Sequence, residues 1–242
     1  MKNNIVSIKT NFMKKILFTT IMILLGLVTS AQVSRYLEKG QSGITLRAGG
    51  EKTYGLYGFS AGVGGSVKGI FDIEFSYTKD NYDQESFDLL DPNSSSSLYE
   101  GWINWWVIRK QIIPSIDINL AVWGEYANAS YMNYRYIDAD TTKYNSYQEG
   151  QFGFEASVNF RITDTWWLQP AFSAFYCTGQ EKWDQKATTV KHNYSRVASY
   201  IALGLAKRIN KSTLYIQVNQ YFNSNQGSTN AYKLSIGYIL GL

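Results

Sequence analysis

The sequence predicts an all-β fold, an antiparallel up-and-down transmembrane β-barrel of about ten strands, with eight or twelve as the neighbouring even counts. Three observations predict it. Alternation of apolar and polar residues at period two recurs from Gly43 onward, broken by turn signals. Aromatic residues make up 16% of the 242 residues and charged residues 17%, against roughly 25% charged in an average soluble domain. The polar faces of the alternating segments carry Gly, Ser, Ala and Asn rather than Lys and Glu. Small residues of that kind suit the crowded interior of a narrow barrel better than a water-facing surface.

The strands are expected in the following order: Ser42–Gly50, Tyr57–Val67, Ile70–Lys79, Leu98–Arg109, Ser115–Tyr131, Gln148–Ile162, Thr165–Cys177, Tyr194–Arg208, Thr213–Phe222 and Ala231–Gly241. Tyr57–Val67 alternates its apolar set with Gly58, Ser60, Gly62, Gly64 and Ser66. Within Gln148–Ile162, Phe152, Phe154, Ala156, Val158 and Phe160 oppose Gly153, Glu155, Ser157, Asn159 and Arg161. In the ninth strand Leu214, Ile216, Val218 and Phe222 oppose Tyr215, Gln217, Asn219 and Tyr221. The last strand sets Tyr232, Leu234, Ile236, Tyr238 and Leu240 against Lys233, Ser235, Gly237, Ile239 and Gly241. It is expected to pair with the first strand and so remove both sheet edges, which lipid does not tolerate.

The connections alternate in length. Lys68–Gly69, Lys110–Pro114, Thr163–Asp164 and Ile209–Ser212 read as short turns. Glu51–Leu56, Asp80–Ser97, Met132–Tyr147, Thr178–Asn193 and Asn223–Asn230 read as longer loops. Short turns on one rim and long loops on the other are the asymmetry of outer-membrane barrels. No internal domain boundary interrupts the rhythm, so residues 32–242 are read as one barrel domain.

Residues 1–31 are read as a signal peptide with an upstream extension if translation starts at Met1 rather than Met13. Lys14 and Lys15 precede an apolar run, Ile16–Val28, and small residues lead to cleavage after Ala31. The run is short for a spanning helix. Lys2, Lys9, Lys14 and Lys15 lie in this segment and no acid does; without them the chain carries 19 basic and 19 acidic residues. The formal charge of +4 therefore implies no nucleic-acid partner.

The "TSAQ" exit of that segment, the Tyr-rich short strands, the Asn/Ser/Asp loops and the alternating final strand resemble the small outer-membrane β-barrel proteins of Bacteroidota-type, Gram-negative bacteria. The resemblance covers the whole mature chain at the level of pattern. It implies export to the outer membrane, contact with outer-membrane lipid and recognition by the outer-membrane assembly machinery. The final strand resembles the C-terminal signal of that machinery but ends in Leu242, with Tyr238 the last aromatic.

Charged residues expected on the inner face are Arg47, Asp72, Glu74, Glu100, Asp117, Glu125, Glu155, Arg161, Arg196, Arg208 and Lys233. Buried charges must pair, so a lumen network of ion pairs is expected; a porin-like narrow channel is the other use of such residues. Trp105, Trp106, Trp166 and Trp167 are expected to form an aromatic girdle. Enzyme readings find little. The one histidine, His192, falls in an expected loop with Ser195 and Glu181, the candidates for a hydrolase of lipid A or peptides at the extracellular mouth. Ten strands is also the count of the omptin proteases, a likeness in number alone. One histidine with the lone Cys177 makes no zinc site, the two loop carboxylates Asp138 and Asp140 are too few for a calcium ion, and no cofactor is implied. The Tyr- and Asn-rich surface loop Tyr131–Gln148 suits an extracellular ligand. The remaining alternative is a soluble periplasmic barrel with its faces reversed around an apolar ligand.

Overall fold

The computed structural model describes residues 36–37, 40–53, 56–82, 94–132, 142–185, 188–223 and 231–242. The signal segment, Asp138 and Asp140 lie outside them. Ten strands run in order: β1 (Gly43–Thr53), β2 (Leu56–Val67), β3 (Phe71–Tyr82), β4 (Ser95–Ile113), β5 (Ile116–Met132), β6 (Thr142–Arg161), β7 (Trp166–Gln185), β8 (Thr188–Ile209), β9 (Ser212–Asn223) and β10 (Ala231–Gly241). Each pairs antiparallel with its sequence neighbours, and β10 closes on β1 from Gly43↔Gly241 to Lys52↔Tyr232. The rim holding Gly43 and Gly241 is called the near rim below, and the opposite one the far rim.

Alternation sorts the side chains as a lipid-facing barrel requires. Leu46, Phe59 and Phe152 point outward and are 63%, 63% and 64% exposed, whereas inward Asp72 and Glu155 are 0% exposed. A water-soluble fold does the reverse. The reversed-face alternative is thereby corrected: the apolar face is the outer one. Lys52 and Lys79 mark the far-rim edge of the apolar belt. At the near rim Lys207 lies 5.3 Å over the Trp166 ring, an interfacial pairing of cation and aromatic.

The lumen is narrow, and its large side chains need bare backbone beside them. Arg47 faces Gly62 across β1–β2, Phe175 faces Gly153 across β6–β7, and Tyr215 faces Gly237 across β9–β10. A Cβ on Gly237 would overlap the Tyr215 ring, which is 1% exposed and has no room to retreat. Gly237→Ala is therefore expected to destabilise the barrel by about 1–3 kcal/mol through overpacking. A lower urea midpoint with an unchanged m value is the reading that supports it; an unchanged midpoint would mean that Tyr215 is free to move.

The near-rim turns are tight. Between β2 and β3, Lys68 (φ 53°) and Gly69 (φ 59°) both take the left-handed region, and Ile70 N donates to Val67 O at 3.0 Å. Two successive positive-φ residues make the hairpin turn whose twist matches the strands.

Three expectations need correction. Glu51–Leu56 and Thr178–Asn193 are not long loops: β1 pairs with β2 up to Thr53↔Leu56, and β7 with β8 up to Gln185↔Thr188. The polar residues that suggested loops sit beyond the lipid belt, where a strand can be polar on both faces. The four-tryptophan girdle is halved. Consecutive residues face opposite ways, so Trp105 (55%) and Trp166 (37%) are exposed outside while Trp106 (3%) and Trp167 (9%) are buried inside. His192 lies in β8, not in a loop.

Candidate functional site

The lumen is blocked from the near rim upward. Tyr36 and Leu37, just before β1, fold into the barrel and are 1% and 2% exposed. Tyr36 stacks on Tyr215 with centroids 4.4 Å apart and an interplanar angle of 11°. Its hydroxyl donates to Gln217 Oε1 at 2.5 Å, and Thr213 Oγ1 donates to Tyr36 O at 3.2 Å. Arg109 ties the other side, donating to Leu37 O (2.5 Å) and Gly69 O (2.6 Å). Gly204 leaves the space that the Tyr36 hydroxyl fills. With Trp167, Ala206 and Ile239 these residues form an apolar cluster inside an otherwise polar lumen.

A second layer lies above the first. Trp102, Trp123, Phe175, Tyr200 and Tyr221 run ring to ring from β4 to β9 at centroid distances of 6.3, 5.1, 6.1 and 5.2 Å. Two of its polar atoms find partners within the wall. Trp123 Nε1 donates to Ser173 Oγ (3.0 Å), and Tyr200 Oη donates to Glu155 Oε2 (2.6 Å). Nearby, Trp106 Nε1 donates to Asp72 Oδ2 (3.0 Å). Asp72, Glu155 and Ser173 are 0% exposed, so no water path touches them.

The layers separate two chambers. The far-rim chamber, about 320 Å³, is lined by Glu51, Glu74, Glu100, Glu125 and Glu149 together with Arg47, Arg196 and Lys233. The near-rim chamber, about 410 Å³, is lined by Arg109, Lys110 and Arg161 with Asp117. One chamber is thus predominantly acidic and the other predominantly basic.

Ion pairs brace the far-rim chamber. Arg47 Nη2 meets Glu74 Oε1 at 2.5 Å, Arg196 Nη2 meets Glu149 Oε2 at 2.8 Å, and Lys233 Nζ meets Glu51 Oε2 at 2.9 Å. Glu149 is the best-satisfied acid. It also accepts from Tyr194 Oη (2.7 Å) and Gln151 Nε2 (2.6 Å). Glu100 accepts from Ser76 Oγ at 2.8 Å.

The expected lumen residues are therefore divided between places. Arg47, Glu74, Glu100, Glu125, Arg196 and Lys233 come together in the far-rim chamber, Asp117 and Arg161 in the near-rim one, and Asp72 and Glu155 in the partition. Arg208 instead sits at the near rim, its Nε donating to Asn210 O of the β8–β9 turn at 3.0 Å. Glu51, Arg109, Glu149 and the Tyr36–Leu37 plug were not foreseen. Extending the alternation two residues beyond Gln151 would have placed Glu149 inside. For Tyr36 no periodic signal exists, because it lies outside any strand.

The candidate hydrolase residues do not assemble. Glu181 faces His192 across β7–β8, but His192 Nδ1 is 3.9 Å from Glu181 Oε2, beyond hydrogen-bond range, and both side chains are exposed. Ser195, three residues after His192 in the same strand, points to the other face.

No family model matches the chain. One curated protein, the CTP synthase of Syntrophus aciditrophicus (strain SB), is 29% identical over 103 residues, 41% of this chain and 17% of that protein. The chain thus spans about a sixth of that relative's length, and a stretch of this size is less than half of a barrel that ten strands build together; no activity carries over. Among solved structures, the translocator domain of the autotransporter NalP from Neisseria meningitidis has a TM-score of 0.51 at 13% identity, covering 86% of this chain and 91% of that one. The β domain of the Bordetella autotransporter BrkA has a TM-score of 0.45 at 10% identity, covering 85% and 100%. The NalP likeness shows the fold, a closed outer-membrane-type barrel, and no more.

Proposed function

We propose that this chain is a non-catalytic integral outer-membrane protein of the Bacteroidota type, exported by a cleaved signal peptide. Its closed barrel anchors a surface-interaction site. The near rim is periplasmic and the far rim extracellular. The apolar outer belt around a polar, filled lumen is the observation that carries this reading. Water would not tolerate such a belt on a monomer, since soluble proteins rarely expose contiguous apolar patches above a few hundred Å². A transmembrane strand needs about 9–11 residues. Strands β1–β3, β9 and β10 have 11 or 12, while β6, β7 and β8 have 20, 20 and 22. The surplus projects past the far rim as a polar, aromatic-bearing extension, with His192 tilted against Trp183 and stacked on Tyr194 along it. The filled partition favours a surface role over a channel.

Purified protein is expected to fractionate with outer membranes and to change gel mobility on heating. In planar bilayers the native chain is expected to give no discrete conductance steps. Recovery as a detergent-free soluble periplasmic protein would overturn the membrane reading, and stable conductance would overturn the closed one.

A further inference from the structure

The far-rim chamber has more negative charge than its own cations neutralise. Its three cations are each committed to a different carboxylate: Arg47 to Glu74, Arg196 to Glu149 and Lys233 to Glu51. Among the described residues, Glu100 and Glu125 have no cation within ion-pair distance; their two carboxyl groups bond to each other, Glu100 also accepts from Ser76 Oγ, and both line the same space. Glu74, 3% exposed, also holds its Oε2 without any partner. Two carboxyl groups held against each other need a proton or a cation between them, and the chamber's own cations are engaged elsewhere.

The walls say which kind of cation would complete it. Trp102, Phe175, Tyr147 and Tyr221 line the chamber between the acids. Lys233 already shows the binding mode from within: its Nζ sits 5.4 Å from the Tyr221 ring while pairing with Glu51. An ammonium held between a carboxylate and an aromatic face gains from both. Among the described residues no three carboxylate, imidazole or thiol groups are grouped closely enough to hold a metal ion. The negative charge is spread along the chamber rather than focused at a point. Glu51, Phe222 and Ala231, near the far-rim ends of their strands, carry the chamber to the mouth.

We infer that the far-rim chamber binds an organic ammonium ligand of the linear di- or polyamine class, one ammonium reaching Glu100 and Glu125 and the chain lying along the aromatic wall. The inference rests on the far rim being extracellular, as proposed above. The test uses the refolded full chain in detergent micelles, with calorimetry and tryptophan fluorescence, since Trp102 lines the site. Cadaverine and spermidine are the probes; pentanediol and calcium chloride are the controls. Saturable binding of the amines is expected, weakened by salt, with no comparable binding of either control. The double variant Glu100→Gln/Glu125→Gln is expected to lose about tenfold or more in affinity, the scale of a charged hydrogen bond. Glu125→Gln alone is expected to lose less, and it serves if the double variant does not fold. Glu181→Gln, outside the chamber, is expected to bind as the parent does. Equal binding of cadaverine and pentanediol, tighter binding of calcium, or unchanged affinity in the Gln variants would overturn the inference. A protein that shows heat-modifiable mobility but binds no amine sinks this inference alone, whereas one without that mobility sinks the membrane reading beneath it.

Discussion

Arg47→Ala is expected to destabilise the barrel by about 3–5 kcal/mol, the usual scale for stripping one partner from a buried ion pair. Arg47 and Glu74 are 5% and 3% exposed, and their contact is 2.5 Å. Removing the guanidinium leaves a carboxylate facing Glu100 and Asp72 with nothing to offset it. The flat backbone of Gly62, over which the guanidinium lies, would become a void. Urea unfolding in detergent micelles, followed by tryptophan fluorescence, measures the loss. Arg47→Leu/Glu74→Leu is expected to recover most of it, because two apolar residues bury no uncompensated charge. If Arg47→Ala cost less than about 1 kcal/mol, the value of an exposed pair, then water in the chamber would already be screening Glu74.

That pair also shows what the sequence makes legible. Arg47 and Glu74 each sit at an inward position of a clean alternation, so their shared interior followed from parity alone. Parity says which face a residue joins but not its height along the barrel. Asp72, Glu74 and Glu155 read alike in the sequence, yet two of them lie in the partition and one lines a chamber. Height depends on strand register, which is set by pairings between residues far apart in the chain. The same gap explains Trp106 and Trp167. Adjacent tryptophans at a strand end resemble a girdle until alternation is applied to each one separately. The polar far-rim ends of β6, β7 and β8 escaped for a different reason. Above the lipid belt nothing forces one face to be apolar, so strand and loop share a composition there. Tyr36 had no pattern at all. The room for its hydroxyl is left by a bare glycine, Gly204, on a strand about 170 residues away in sequence, and only the closed barrel brings the two together.

The partition predicts how the lumen would open. Two layers stand in series: the Tyr36–Tyr215 stack with Leu37, and the Trp102–Trp123–Phe175–Tyr200–Tyr221 chain. Current through gates in series is stopped by either one. Tyr36→Ala/Tyr215→Ala should therefore stay silent in a planar bilayer, and so should Trp102→Ala/Trp123→Ala. The fourfold combination should show discrete conductance steps where each pair alone shows none. Large-to-small changes of this kind cost about 3–5 kcal/mol each in a packed core, so heat-modifiable mobility must confirm that every variant remains a barrel. Steps from either pair alone would mean that the other layer leaks and that a single constriction does the sealing. Silence from a folded fourfold variant would place the seal lower in the lumen, at Asp72 and Trp106. Glu155 bears on the outcome as well. Its partner Tyr200 remains in the fourfold variant, but water entering beside it would hydrate a carboxylate that is now wholly buried. Hydration of that carboxylate favours the open state, so the opened variant should hold its conducting state rather than collapse shut.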